Sequence, residues 1–493
     1  LKAKTLGALK KSAYQPCSVK EELRRNLIER MKHKQPSFDG IHGFDHTVIP
    51  SLERAILAKH NINLLGLRGQ AKTRIARAMV NLLDEFIPVI AGSEVNDDPF
   101  QPISYYGKQL LAEMGDDLPI EWVGRNERYT EKLATPDVTV ADLIGDIDPI
   151  KAANNKFNYA DEQVIHFGLI PRANRGIFVI NELPDLQPRI QVALFNILQE
   201  SDMQIRGFKL RFPIDAQFIF TANPEDYTNR GAIITPLKDR IQSQIITHYP
   251  RELEVALAIT KQEVKLSPEQ VESIVVPEPA ETLIEQVAIE ARKSEYVDEK
   301  SGVSARLSIS AYEAMMGSAE RRLHQNAAKQ EIVRVSDFTA IVPAIVGKIE
   351  MVYEGEQEGA VNVSQQLITA AIRTIAAKYF HQIDEVKTTD AGKAKTPEAY
   401  IKIVEWFRAG NAIDLMNDDN TKTYRQKLEA VPGLEQHIQS RFPKMQKEAR
   451  YFMMEFLLHG LAAYSLLDKQ MLDLSYTFQD LFSAYFPQEN RPS

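Results

Sequence analysis

The chain has 493 residues, 44% of them hydrophobic and 26% charged, with a net charge of -8; this is ordinary globular composition, with material for roughly two to four domains. No stretch approaches the ~18–20 consecutive apolar residues of a membrane span, and the opening LKAKTLGALKK has no apolar run behind it, so neither a span nor a secretory signal is expected. The single cysteine, Cys17, excludes an intrachain disulfide and a cysteine-based metal cluster, and a lone thiol suits a reducing compartment, with the cytoplasm the expected location.

Charge is spread unevenly. Residues 1–34 carry ten Lys/Arg and three Asp/Glu, a balance of +7, which leaves -15 for the rest. The segment from Val19 to Met31 reads as an amphipathic, solvated helix. The alternative is an arm that docks on an acidic surface or a nucleic acid, and the acidic remainder argues against general DNA binding.

Residues 35–250 alternate short apolar runs with helical patterns, as in an α/β domain with a mainly parallel sheet. Strands are predicted at Ile62–Leu65, Ile177–Ile180 and Phe218–Thr221, and helices at Thr73–Leu83 and Arg189–Leu198. Met203–Phe212 reads as two short strands meeting at a Gly-Phe turn. From about residue 251 the pattern becomes helical, with breaks near 275–280 and at the polar run 387–396. Ala449, Phe452, Met453, Phe456 and Leu457 share one helix face, which is core packing or, in the minority reading, a partner groove. The string Glu354, Glu356, Glu358 reads as a solvated loop.

The strongest chemical signal is Gly66-Leu67-Arg68-Gly69-Gln70-Ala71-Lys72-Thr73, lying between a predicted strand and a predicted helix. This is the setting of a phosphate-binding loop. Gly69 lets the backbone curl so that N–H groups face phosphate oxygens. Lys72 suits the β- and γ-phosphates, and the Thr73 hydroxyl suits Mg2+. Ala71 stands where glycine is usual; as the smallest substitute it fits the loop if it keeps a negative φ.

Ile177-Phe178-Val179-Ile180-Asn181-Glu182 is an apolar strand ending in polar groups. Glu182 suits the activation of a water; the alternative is that it caps the next helix. Asn181 stands where an aspartate would hold hydrated Mg2+. It keeps an acceptor oxygen but brings no charge. Asn223 follows the third predicted strand, 41 residues after Glu182, and can reach the same water or the γ-phosphate. Arg240 and Arg306 are candidates to stabilise a transferring phosphoryl group, and the alternative for each is a surface ion pair.

These motifs in this order resemble the AAA+ ATPases, specifically the branch of the magnesium chelatase I subunits and the MoxR proteins. GLRGQAKT is similar to the MoxR loop. Ile87–Gly92 with Asp98-Pro99, Ile144–Asp148, and Phe167–Gly176 resemble chelatase I segments. The resemblance covers about residues 38–345. It implies an AAA+ P-loop domain with a central parallel sheet, then an α-helical lid and an all-α C-terminal region. The domains are then 1–37 (basic helical segment), 38–250 (ATPase core), 251–345 (lid) and 346–493 (helical extension, without counterpart in the compact chelatase I subunit).

The same resemblance implies ATP and Mg2+ as cofactors. Gly66, Arg68, Gly69, Gln70, Ala71, Lys72, Thr73 and Arg74 would bind ATP, and Thr73 and Asn181 would hold the metal. Glu182 would be the catalytic carboxylate that orients and deprotonates the attacking water, Asn223 sensor 1, Arg240 an arginine finger acting on the neighbour's ATP, and Arg306 sensor 2. Met203–Phe212 would be the branch's pre-sensor hairpin. Family members form ring hexamers and often work with a partner bearing a von Willebrand A domain. The leading expectation is a ring-forming ATPase that remodels such a partner. The alternatives are the motor subunit of a magnesium chelatase acting on a porphyrin, and a nucleotide-binding scaffold with little turnover. An enhancer-binding activator is disfavoured, since the chain has no GAFTGA loop.

Overall fold

The computed structural model describes residues 2–147, 164–205, 211–224, 232–384, 396–472 and 475–481. Two compact units divide the chain, Leu1–Tyr249 and Pro250–Ser493. Among the described residues no helix is long and apolar enough to cross a membrane.

The first unit is built on five parallel strands: β1 (Ile62–Leu65), β2 (Tyr129–Leu133), β3 (Gly176–Asn181), β4 (Ala216–Ala222) and β5 (Ser243–Ile246). Their order across the sheet is β5-β1-β4-β3-β2. Ile62 pairs with Ser243 on one side and Ile219 on the other, Phe178 pairs with Phe218, and Ile177 pairs with Tyr129. A parallel sheet covered on both faces should consist of continuous apolar strands, and β3 and β4 do. Period-two alternation sends Phe178, Ile180, Phe218 and Phe220 into the core on one face. Ile177, Val179, Ile219 and Leu64 enter the core on the other.

The expected basic helix forms as α1 (Val19–Lys32), capped by the Ser18 side chain, which accepts from Glu21 N. Val19, Leu23 and Leu27, spaced four apart, are buried in the second of these cores. Its outer arginines pair locally, Arg25 with Asp84 at 2.6 Å and Arg24 with Glu21 at 3.1 Å. Glu22 is buried and receives both ends of the Arg128 guanidinium, at 2.7 and 2.6 Å. A bidentate, desolvated pair of this kind fixes orientation more than it adds net stability. The basic segment is thus a packed part of the first unit.

Two predicted helices are shorter than expected. α2 (Lys72–Ala78) passes into a 3-10 turn at Met79–Leu82. The span 189–198 breaks at Leu194 into helices Pro188–Ala193 and Phe195–Glu200. Strands Asp202–Gln204 and Arg211–Pro213 pair antiparallel as expected, while the Gly-Phe turn between them lies outside the described residues. An antiparallel pair, Phe86–Ile90 with Ile120–Gly124, was not foreseen. α3 (Thr235–Arg240) leads into β5.

The second unit is largely helical, as expected. Its main helices include α4 (Glu278–Lys293), α5 (Arg306–Gln325), α6 (Ala360–Tyr379) and α7 (Lys447–Ala463). One continuous apolar core runs from Ile274 to Phe478, so the stretches on either side of residue 346 share it. Phe452, Met453, Phe456 and Leu457 are buried there, which settles that stripe as core. A three-stranded antiparallel sheet of Ile413–Met416, Ser475–Gln479 and Asp468–Leu472 adds β structure to a region read as all-α. Glu354, Glu356 and Glu358 are solvated as expected, but on a short helix, Tyr353–Glu358, rather than a loop. The break near 275–280 is a helix start, with Pro277 at the N-cap of α4. The polar run 387–396 falls outside the described residues except at Thr396.

Candidate functional site

In an open parallel sheet, ligands bind beyond the carboxyl ends of the strands, where neighbouring connections diverge. Here β1, β3 and β4 end together, and the loop 66–71 leaves β1 at that edge. Gly66 N donates to Ala222 O at the tip of β4, at 3.1 Å. Gly66 is needed for space: a Cβ there would lie 2.0 Å from Thr247 Oγ1 and 2.2 Å from Gln70 Oε1. The buried Gln70 side chain accepts from Thr247 Oγ1 at 2.8 Å, and Tyr249 OH donates to Arg68 O at 2.9 Å. Residues just after β5 therefore hold the loop from behind, a role that nothing local in the loop sequence announces.

Gly69 has φ +74° and Ala71 φ +57°, with Gln70 between them outside the left-handed region. Alternating hands turn successive N–H groups to one side and form an anion-binding concavity. The expectation that Ala71 keeps a negative φ is therefore wrong. The curl that makes the concavity requires the left-handed conformation there, at a cost of roughly 1–2 kcal/mol for a residue with a Cβ. Ala71 O then accepts from Ile75 N, which starts α2.

Lys72 is 7% exposed. Its Nζ donates to Gly66 O, to Leu67 O at 2.9 Å and to Asn223 Oδ1 at 2.6 Å. Asn223, also buried, donates through Nδ2 to Glu182 Oε2 at 2.6 Å. One amide thus joins the loop cation to the carboxylate at the end of β3. Glu182 has φ +56° and occupies the N-cap position of the 3-10 turn Leu183–Asp185, but its side chain makes no cap bond there. A non-glycine residue in this conformation is strained and is held in place by its surroundings. Part of that hold is Thr221, whose Oγ1 accepts from Glu182 N at 3.1 Å. The same hydroxyl donates to Asn181 Oδ1 at 3.2 Å.

None of the other candidates is hydrogen-bonded into the Lys72–Asn223–Glu182 chain by the contacts described above. Thr73 and Arg74 follow Lys72 on α2, half-buried and exposed respectively. Arg240 ends α3, with Nε on Gln199 Oε1 at 3.0 Å, Nη1 on Pro236 O at 2.8 Å, and its guanidinium 4.7 Å from the Phe195 ring centroid. Arg306 is the exposed first residue of α5 in the second unit.

The loop N–H groups and Lys72 fit a phosphate chain. The residues offered for Mg2+ fit less well. Mg2+ and its water shell call for oxygen acceptors, preferably charged. Asn181 offers an uncharged amide oxygen that already accepts from the Thr221 hydroxyl, so it brings an acceptor but no charge. Among the described residues no group of three His, Cys, Asp or Glu side chains is placed to hold a metal ion.

The family model for the AAA domain of the dynein-related subfamily matches residues 108–241. The match begins beyond the loop 66–73 and takes in β3, β4 and Arg240. The magnesium-chelatase 38 kDa subunit of Cereibacter sphaeroides is 26% identical over 204 residues, 40% of this chain and 53% of that protein. The chain therefore spans about half the length of this curated relative. Among solved structures, NtrX from Brucella abortus in complex with ATP gives a TM-score of 0.38 at 13% identity, covering 73% of this chain and 67% of that one. A chain from the complex of the BchI and BchD subunits of magnesium chelatase gives 0.33 at 17% identity, covering 64% and 97%. At such scores neither structure carries an argument about this chain.

Proposed function

We propose that this chain, which matches an AAA domain over residues 108–241, is an AAA+ ATPase that hydrolyses ATP in a ring of like subunits to remodel a partner protein. The observation that carries this reading is the chain of contacts from Lys72 through Asn223 to Glu182 at the carboxyl ends of β1, β3 and β4. It joins the Lys72 ammonium to the Glu182 carboxylate through one amide that touches both, which supports giving them the roles of phosphate ligand and base. In this reading the loop N–H groups and Lys72 bind and orient the phosphate chain. Glu182 takes a proton from the attacking water, and Asn223 holds that carboxylate in position. The Glu182 side chain makes no cap bond to the turn that follows it and instead accepts from Asn223 beyond β4.

Arg240 would act across a subunit boundary. Its hydrogen bonds to Gln199 and Pro236 are exposed and the Phe195 ring adds only a cation–π contact, so a phosphate of the neighbouring subunit would compete for the guanidinium. Residues 251–345, with Arg306 as sensor 2, would serve as the lid, and the helical extension would carry contacts to the client. The proposed ring is a hexamer and the proposed client a protein with a von Willebrand A domain. A second reading, the motor subunit of a magnesium chelatase, is favoured by the similarity to the 38 kDa chelatase subunit.

Steady-state ATPase assays with and without nucleotide-dependent assembly, read by light scattering, test the first part of this proposal. A chain that binds ATP without turnover in any assembly state would leave only a scaffold. Purification from native cells with identification of bound proteins separates the remodelling reading from the chelatase one, since the latter requires porphyrin-handling subunits among them.

A further inference from the structure

Several arginines at the surface of the first unit lie against a carboxylate, as Arg25 does on Asp84 and Arg77 on Glu131. Arg240 is held differently. Among the described residues its side-chain partners are all neutral: the Gln199 amide oxygen, the Pro236 carbonyl and the Phe195 ring. Phe195 and Gln199 stand four residues apart on the helix Phe195–Glu200, so one helix face presents both the ring and the amide. Pro236 lies four residues before Arg240 on α3. The guanidinium is thus held at three points while its charge is left uncompensated.

A guanidinium carries one N–H on Nε and two on each Nη, in a rigid fork. Gln199 takes Nε at 3.0 Å and Pro236 takes Nη1 at 2.8 Å, while Nη2 has no partner among the described residues. A phosphate that meets the fork end-on engages Nη1 and Nη2. It would compete with Pro236 and leave the bond from Nε to Gln199 in place. Arginine gives up much rotamer freedom when it is ordered, and less is left to give up where the side chain is already held.

We propose that Gln199 and Phe195 are positioning residues for Arg240, which hold its guanidinium unneutralised and oriented for the terminal phosphate of ATP bound to a neighbouring copy of this chain. The inference rests on the reading of Arg240 as acting across a subunit boundary.

The test uses full chains in mixed assemblies. Lys72→Ala chains supply an intact Arg240, Arg240→Ala chains supply an intact loop, and the ATPase activity regained on mixing them is the reference. Gln199→Ala added to the Lys72→Ala chain should lower that recovery about threefold to tenfold, the worth of one hydrogen bond, with KM for ATP unchanged within about twofold. The same change added to the Arg240→Ala chain should leave the recovery as it was, because no arginine on that chain depends on it; a purely structural role would lower both. Phe195→Leu on the Lys72→Ala chain should also lower the recovery, and Phe195→Tyr, which keeps the ring, should not. Equal losses from Gln199→Ala on either chain, or no loss on either, would overturn the proposal. Phe195→Leu matching Phe195→Tyr would remove the ring from it. No recovery by the unsubstituted pair, with co-assembly confirmed, would instead refute the reading of Arg240 across the boundary, and this inference with it.

Discussion

Ala71→Gly isolates the most unusual backbone feature of the loop. Ala71 sits at φ +57°, ψ 16°, where a Cβ costs roughly 1–2 kcal/mol. Glycine removes that strain but gives the unfolded chain more freedom, at a cost of about 0.4–1 kcal/mol. The net effect should be a stabilisation of the first unit by about 0.5–1 kcal/mol. The contrast is Gly66→Ala, where the added Cβ would fall 2.0 Å from Thr247 Oγ1 and something must shift. The two tryptophans allow the assay to be local: Trp122 lies in the first unit and Trp406 in the second. In a Trp406→Phe background, urea unfolding followed by Trp122 fluorescence reports the first unit alone. The midpoint should rise for Ala71→Gly with the slope unchanged. A midpoint lowered by Ala71→Gly would mean that the left-handed conformation at this position is not the one adopted in solution.

Lys72→Ala removes the loop's buried cation and its contacts with Asn223, and should weaken ATP binding about 10- to 150-fold by calorimetry, the worth of a charge-assisted contact of roughly 1.5–3 kcal/mol; unchanged affinity would move the phosphate site elsewhere. Arg240→Ala and Lys72→Ala proteins should each lack turnover alone and recover part of it when mixed, because some interfaces then pair an intact loop with an intact arginine; no recovery despite confirmed co-assembly would place Arg240 outside the neighbour's site. In the second unit, burial beneath Tyr476 and Phe478 pushes the pKa of His459 from 6.5 down to about 4. The unfolded imidazole binds a proton between pH 6.5 and about 4 that the folded one excludes. Stability is therefore full above pH 6.5 and falls as pH drops toward 4, by roughly 3 kcal/mol. Trp406 fluorescence should follow this loss, and His459→Leu should flatten it.

Much of the site was legible because its parts are short and ordered along the chain. The apolar strands carry a clear pattern, and the loop, Glu182 and Asn223 each follow one. What the sequence hid depends on geometry rather than residue type. The sign of φ at Ala71 is set by the curl of the whole loop. Thr221 lies inside a legible string, FTANP, but its hold on Asn181 and Glu182 exists only in the register of β4 against β3. Thr247 supports the loop from 177 residues beyond Gln70. The pair Phe86–Ile90 and Ile120–Gly124 has Pro88 within one strand and a 29-residue insertion between its strands, which masks any hairpin signal. In the second unit, Arg322 and Asp337 are buried and paired at 2.6 Å. Burial of that kind leaves no mark on a helical periodicity count.

The central claim is that Glu182, poised by Asn223, activates water for ATP hydrolysis. The most direct measurement is ATP binding and steady-state hydrolysis on the same preparations of the unmodified chain and Glu182→Gln. The substitution keeps the side chain's size and an oxygen for Asn223 while removing the base. The account predicts ATP affinity within about threefold of the unmodified chain and hydrolysis slower by about 100-fold or more. Hydrolysis by Glu182→Gln at the unmodified rate would contradict it.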